Sequence, residues 1–146
     1  MNIIPILMAG VMSITGIWSR WDRNDGNWDE LAPLLASNGY DTVFYMAAYG
    51  TFIDEDGLRE CLDACLPLGI DVHAWVVMWR TDYASDVQQE KLLCEGRMQA
   101  NSDGEVIQNW MNPTDPRNVE LMASVCLRIA AEYPVTGIHL DYIRYK

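Results

Sequence analysis

Short apolar runs alternate with amphipathic segments along most of this chain. Four runs rich in β-branched and aromatic residues predict strands over residues 14–18, 41–48, 71–79 and 136–141. Segments with apolar residues at helical spacing lie between them and predict helices over residues 29–37, 55–66 and 115–132. Because the strands alternate with helices and read as nearly continuous apolar runs, we expect a parallel sheet covered on both faces.

The ends of the predicted helices carry residues that typically start or stop a helix. Asp54 is an N-cap candidate for the second helix, and Asp115 opens the third with Pro116 at its first position. Asn38-Gly39 stops the first helix. The predicted boundaries therefore rest on cap residues as well as on periodicity.

The third βα unit is longer than the others because an insertion separates Trp79 from Asp115. Its sequence is polar and irregular, with a short helix predicted over residues 86–95 and a turn over residues 101–104. In a parallel βα protein, such an insertion lies at the carboxyl ends of the strands, where functional residues collect.

Two architectures fit this order of elements, namely half of an eight-stranded β/α barrel and a small doubly wound sheet. The first strand is followed by Ser19-Arg20-Trp21-Asp22 and not by a glycine-rich phosphate loop. This argues against a nucleotide-binding doubly wound sheet. We therefore predict an α/β fold whose parallel β/α units form a partial TIM barrel with four strands over residues 14–146. Residues 1–13 are interpreted as a separate apolar segment, either a signal-peptide remnant or a segment beneath the barrel floor.

The net charge and the cysteine pattern limit the kinds of molecule that this chain is expected to bind. The net charge of −11 argues against nucleic acid and against an anionic membrane surface, and no apolar run is long enough to span a bilayer. Cys61 and Cys65 lie one helical turn apart in an apolar stripe and are interpreted as buried thiols. With no CxxC motif and two histidines, we expect neither a structural zinc site nor a cofactor.

The last predicted strand delivers an acid, Asp141, at its C-terminal end. Side chains alternate along a strand, so His139 and Asp141 share one face, while Ile138 and Leu140 should meet the helices. This alternation aims His139 and Asp141 into the barrel, with Asp141 at the rim. Only His73 is available as a third metal ligand, so no metal site is predicted.

Further polar and aromatic residues are predicted near the same rim and are the candidates for substrate binding. They are His139, Arg144, Tyr142, Trp18, His73, Trp75, Trp79 and Arg80. Aromatic faces stack on sugar rings, arginine and histidine bind hydroxyls, and a carboxylate stabilises an oxocarbenium-like transition state. The set therefore predicts a carbohydrate substrate. The structural alternatives are that Asp141 caps a helix or pairs with Arg144, and that His73 and the tryptophans belong to the core.

Several motifs, taken in order, carry a resemblance to a known family. They are Gly16-Ile17-Trp18, Thr42-Val43-Phe44, Val72-His73-Ala74-Trp75 with Arg80, Asn112-Pro113 followed by Asp115-Pro116, and Gly137-Ile138-His139-Leu140-Asp141-Tyr142. Residues 14–146 resemble the N-terminal half of the glycoside-hydrolase-like barrels once catalogued as a domain of unknown function, which are distant relatives of the amylase-type barrels. The resemblance implies a TIM barrel with a glycosidase-type site, in a bacterial protein that is secreted or held at the cell surface.

The resemblance further implies that Asp141 is the nucleophile or its equivalent. Glycosidase chemistry uses a second carboxylate, and the sequence leaves Asp82, Asp22 and Asp54 as rim acids without selecting one. The strands expected to supply later carboxylates have no counterpart in this sequence.

Three functions remain open on this evidence. The first is a glycoside hydrolase acting on polysaccharide, with Asp141 as nucleophile or transition-state stabiliser, once missing strands or a partner chain complete the barrel. The second is a non-catalytic carbohydrate-binding or self-assembling half barrel, which a homodimer could close because a half barrel has two open sheet edges. The third is a truncated fragment that is inactive alone.

Overall fold

Four parallel strands form the centre of the fold, in the order in which the chain delivers them. The computed structural model describes residues 14–20 and 27–146, so the segment 1–13 and the candidate acid Asp22 lie outside the described residues. The strands are β1 (Gly16–Ser19), β2 (Thr42–Tyr49), β3 (Phe52–Ile53), β4 (Asp71–Val77), β5 (Met98–Ala100), β6 (Val106–Met111) and β7 (Gly137–Asp141). The helices are α1 (Trp28–Ser37), α2 (Glu55–Cys65), a 3₁₀ turn (Leu66–Leu68), α3 (Asp86–Cys94) and α4 (Pro116–Glu132).

The main sheet has the order β1-β2-β4-β7, and every pair along that path is parallel. This confirms the predicted α/β fold with four parallel strands alternating with helices, an arrangement compatible with a partial β/α barrel. The short strand β3 adds to β2 in the antiparallel direction. No helix in the described part of the chain is long and apolar enough to cross a membrane.

Side-chain caps hold the helix starts where the sequence predicts them. The side chain of Asp54 accepts a hydrogen bond from the Gly57 amide at the start of α2, and that of Asp115 accepts one from Arg117 at the start of α4. Each cap satisfies a backbone donor that has no partner within its own helix. The helices can therefore begin close to the sheet without leaving those donors unbonded.

One face of the sheet packs against the helices and forms the core, whereas the sequence analysis expected both faces to be covered. Val43 and Tyr45 of β2 and Val72, Ala74 and Val76 of β4 are all buried on this face. The thiols of Cys61 and Cys65 in α2 join the same core, as predicted. Ile138 of β7 packs against the core, whereas Leu140 remains 44% exposed.

The insertion after β4 forms α3, close to the short helix predicted there, and an antiparallel hairpin of β5 and β6. The hairpin was not predicted from the sequence. The hairpin is linked to the end of β4, because the Met111 amide donates to the Trp79 carbonyl over 2.8 Å and Arg80 bridges to Trp110. Buried Arg97 joins the hairpin to α4 through a 2.9 Å hydrogen bond to the Asn118 side chain. The insertion is thereby held beside the carboxyl ends of the strands.

Candidate functional site

The carboxylate of Asp141 lies at the carboxyl end of β7 and has a hydrogen bond on each oxygen. The indole Nε1–H of Trp75 donates to Oδ2 over 3.1 Å, and the backbone N–H of Tyr142 donates to Oδ1 over 2.6 Å. Tyr142 has a φ of 55°, in the left-handed region that a bulky residue seldom adopts. The Tyr142 amide is a local donor from the next residue, whereas the Trp75 indole comes from the neighbouring strand β4. Local and tertiary contacts together orient this carboxylate.

The sheet face opposite the helices carries a cluster of rings that contact one another. Trp18 stacks on Phe44 with centroids 4.7 Å apart, and meets Trp75 at 4.9 Å and His139 at 4.6 Å edge-on. His73 lies against Phe44 at 5.2 Å. Trp18 remains 49% exposed, so the cluster presents an aromatic surface to solvent beside Asp141.

Two glycines make room for this ring cluster. A Cβ built on Gly16 would lie 2.7 Å from the Phe44 ring, and one on Gly137 would lie 2.7 Å from Nδ1 of His73. Each ring therefore covers a neighbouring strand at a position that has no side chain. His73 pairs in register with Gly137 and lies deeper in the sheet than Asp141, which pairs with Val77.

Arg80 forms a second polar group at the exit of β4. Its Nε and Nη2 donate to the two oxygens of Asp82 over 2.8 and 2.7 Å, a bidentate ion pair. The guanidinium carbon also lies 5.2 Å from the ring centroid of Trp110 and 5.9 Å from those of Tyr49 and Tyr142. Tyr142 connects this group to Asp141, since its ring faces Arg80 and its amide bonds the carboxylate.

Charge and burial shift the pKa values in this second group. Burial by itself would raise the pKa of Asp82, but the hydrogen bonds and charge of Arg80 outweigh it and lower the pKa below its ordinary value. Burial, followed by the negative charge of Asp82, raises the pKa of Tyr49 to about 12. Asp82 is therefore ionised and Tyr49 protonated at neutral pH.

Among the three rim acids left open by the sequence, the two described ones have different surroundings. Asp54 caps α2 and accepts a hydrogen bond from the Tyr45 hydroxyl, so it serves the local fold. Asp82 lies in the group that reaches Tyr142. Asp82 is the better placed of the two to act beside Asp141.

Trp79 does not join the ring cluster. Regular alternation in β4 ends at Val77, and the Trp79 side chain is 7% exposed within the hydrophobic core. Its predicted role as a stacking surface for sugar is not supported, because a buried ring has no free face to offer.

Arg144 is exposed and lies with its guanidinium carbon 5.1 Å from the Tyr142 ring centroid.

Two contributors to the site were missed by sequence reasoning, namely Phe44 and Tyr49. A bulge pairs Met46 with Trp75 and Ala48 with Val76, so one extra residue of β2 shifts Tyr49 onto the face of Trp75 and Val77. Strict alternation would have placed Tyr49 on the opposite face. Phe44 could have been found from alternation alone, because it pairs in register with His73.

No group of three or more histidine, cysteine, aspartate or glutamate side chains is arranged to hold a metal ion among the described residues. The site thus consists of the ring cluster, the Asp141 carboxylate and the Arg80–Asp82 ion pair. These groups offer hydrogen-bond donors, acceptors and aromatic faces.

Comparison with known proteins identifies a similar fold. No family model matches the sequence, and no curated protein matches it. A solved structure with a similar fold is a β-galactosidase from the psychrophilic Marinomonas ef1, with a TM-score of 0.63 and 14% sequence identity. The match covers 88% of this chain and 21% of the β-galactosidase chain. At this identity the likeness establishes a shared α/β architecture.

Proposed function

We propose that this chain contributes the first half of a glycoside-hydrolase-like barrel and binds a carbohydrate at the carboxyl ends of its strands. The observation that carries the proposal is the Asp141 carboxylate, which is oriented by donors from Trp75 and Tyr142 beside an exposed aromatic surface. Ring faces that can stack on a pyranose, next to a fixed carboxylate, form part of a glycosidase site, which also uses a second carboxylate. The similarity in fold to a β-galactosidase supports the same class of protein.

In this proposal each group has a separate task. Asp141 is the nucleophile or the stabiliser of positive charge on the sugar. His139 and Arg144 bind hydroxyls, and Trp18 offers the most exposed ring face of the cluster. Trp75 and Tyr142 border the same space, and Arg80 holds Asp82 at its edge. His73 packs against Phe44 and lies closer to the amino ends of the strands than Asp141 does.

Carbohydrate binding without hydrolysis is the second candidate. Both oxygens of Asp82 are engaged by Arg80, and its pKa is lowered, so it holds no proton to give to a leaving group at neutral pH. A hydrolase would then need an acid from elsewhere. This observation favours weak or absent turnover by the chain alone.

The test combines binding and turnover. Isothermal titration with lactose, β-1,4-galactotetraose, maltotetraose and cellotetraose should show saturable binding of at least one sugar. Reducing-sugar release should be weak, and Asp141→Asn should abolish what there is, because loss of a catalytic carboxylate costs several orders of magnitude. Asp103→Asn, in the exposed hairpin turn, is the matched control. Absence of binding to every sugar would refute the proposal, and turnover that survives Asp141→Asn would refute the role of Asp141.

A further inference from the structure

A cleft of about 220 Å³ lies between α3 and the β5–β6 hairpin, outside the site described above. Its wall combines the apolar side chains of Leu93 and Val106 with the amide side chains of Gln89, Gln108 and Asn109. Leu93 and Val106 are 53% and 49% exposed. Apolar walls with a few convergent polar groups are typical of small-ligand sites.

Asn109 connects this cleft to the proposed sugar site. Its side-chain Nδ2 lies 3.4 Å from Oδ1 of Asp82, and its carbonyl accepts a hydrogen bond from the Thr81 amide over 3.2 Å. From Asp82 the contacts continue through Arg80 to Tyr142 and hence to Asp141. Direct contacts between side chains therefore link the cleft to the surroundings of Asp141.

The backbone around Asn109 departs from a regular strand. Met98 pairs with Met111 and Ala100 pairs with Val106, so β6 carries three residues more than β5 between those pairs. Asn109 lies in this irregular stretch with a φ of 62°, a left-handed conformation that asparagine tolerates better than most residues. Bulges next to active sites often re-aim a side chain, and backbone strain clusters at ligand sites.

We infer that the cleft is a further subsite, which takes an additional sugar unit of the same neutral oligosaccharide. This inference rests on the proposed function. The amides of Gln89, Gln108 and Asn109 match sugar hydroxyls, which both donate and accept hydrogen bonds. The apolar wall matches the C–H faces of the ring. Glu90 is the one charged residue in the lining, and its negative charge disfavours an acidic sugar.

The experiment measures how affinity depends on oligosaccharide length. Titrations use β-1,4-galacto-oligosaccharides, malto-oligosaccharides and cello-oligosaccharides of two to six units with the full chain. The wild type should bind hexamers more tightly than dimers. Asn109→Gly keeps the positive φ and removes the amide, while Gln108→Ala removes a second one. Each should weaken hexamer binding by roughly three- to ten-fold, the effect of one net hydrogen bond, and leave dimer binding unchanged. Asn38→Gly at the end of α1 is the matched control.

A second readout does not depend on the variants. In amide-detected NMR, the side-chain signals of Gln108 and Asn109 should shift with hexamer and not with dimer. If dimer and hexamer bind equally, or if the variants weaken both equally, the subsite is refuted while the proposed function stands. If the wild type binds no oligomer in any of the three series, the proposed function fails and the inference fails with it.

Discussion

The indole nitrogen of Trp75 donates a hydrogen bond to Asp141, so this residue acts on the carboxylate as well as offering a ring face. Hydrogen bonds to charged acceptors are among the stronger ones in proteins. Trp18 occupies the same ring cluster, and its contacts with Phe44, Trp75 and His139 are contacts between rings, with Trp75 at 4.9 Å. The two tryptophans should therefore differ in their energetic coupling to Asp141.

A double-mutant cycle tests this difference. Trp75→Phe keeps an aromatic ring and removes the donor, and we expect a coupling free energy to Asp141→Asn of about 1–2 kcal/mol in denaturant unfolding. The same cycle with Trp18→Phe should give a coupling near zero. Equal coupling energies for the two tryptophans would show that the Trp75 hydrogen bond does not hold the carboxylate.

The Asp82–Arg80 ion pair should make stability depend on pH. Because the folded-state pKa of Asp82 is lowered, its contribution is present above the ordinary aspartate pKa and is lost as the pH falls through the folded-state pKa. Asp82→Asn should thus lower the melting temperature at pH 7, and the difference from wild type should shrink in acid. Thermal melts between neutral and acid pH measure this difference, with Asp103→Asn as control. A difference that stays constant with pH would contradict the expectation.

At the scale of elements, the loop between β2 and β3 controls how closely the chain passes the exit of β4. Gly50 has a φ of 57°, and a Cβ placed on it would lie 2.0 Å from the Arg80 carbonyl oxygen. The Gly50 amide also donates to the Val77 carbonyl over 2.7 Å. This glycine lets two backbones meet directly beneath the Arg80 side chain.

Gly50→Ala should therefore destabilise the protein more than an alanine at another left-handed glycine. Gly39, at the end of α1, has a φ of 78° with no atom within 4 Å of a built Cβ. Gly39→Ala should cost about 1–2 kcal/mol from backbone strain alone, and Gly50→Ala about 2–4 kcal/mol because a steric clash adds to it. Urea unfolding measures both. Similar losses for the two variants would mean that the close approach at Arg80 is unimportant.

At the scale of the whole molecule, the sheet is open on both sides within the described residues. There β1 pairs with β2 alone and β7 with β4 alone, so each presents an unpaired edge. The exposed Trp18 and Leu140 lie on opposite faces of the same sheet. Unpaired edges beside apolar side chains favour association with a further chain or segment.

We expect this chain to self-associate as its concentration rises. Leu140→Lys places a charge on the edge strand and should shift sedimentation-velocity profiles toward the monomer. Val87→Lys, on α3 at a side chain that is 77% exposed, is the control and should leave the profiles unchanged. A wild type that stays monomeric at all concentrations would argue that the edges do not drive association.

Much of the fold follows from signals between neighbours in the sequence. Asp54 and Asp115 cap α2 and α4, and apolar periodicity places the four parallel strands within two residues of their observed ends. Caps and periodicity are local, because they depend on side chains a few positions apart. For the same reason, alternation in β7 placed His139 on the sheet face that carries Trp18, 4.6 Å from its ring. The chemical role assigned to Asp141 stays a prediction.

Only the tertiary structure decided which other groups reach Asp141. Three features depend on partners distant in the chain. They are the bulge in β2 that places Tyr49 on the face of Trp75, the irregular stretch of β6 that carries Asn109, and the burial of Trp79. Hydrogen bonding between strands sets such register shifts, and it is satisfied by whichever segment lies alongside. The sequence by itself therefore determined the four parallel strands, the helices between them and the acid at the end of β7. Packing between segments far apart in the chain determined the surroundings of that acid, because those contacts leave no periodic trace in the sequence.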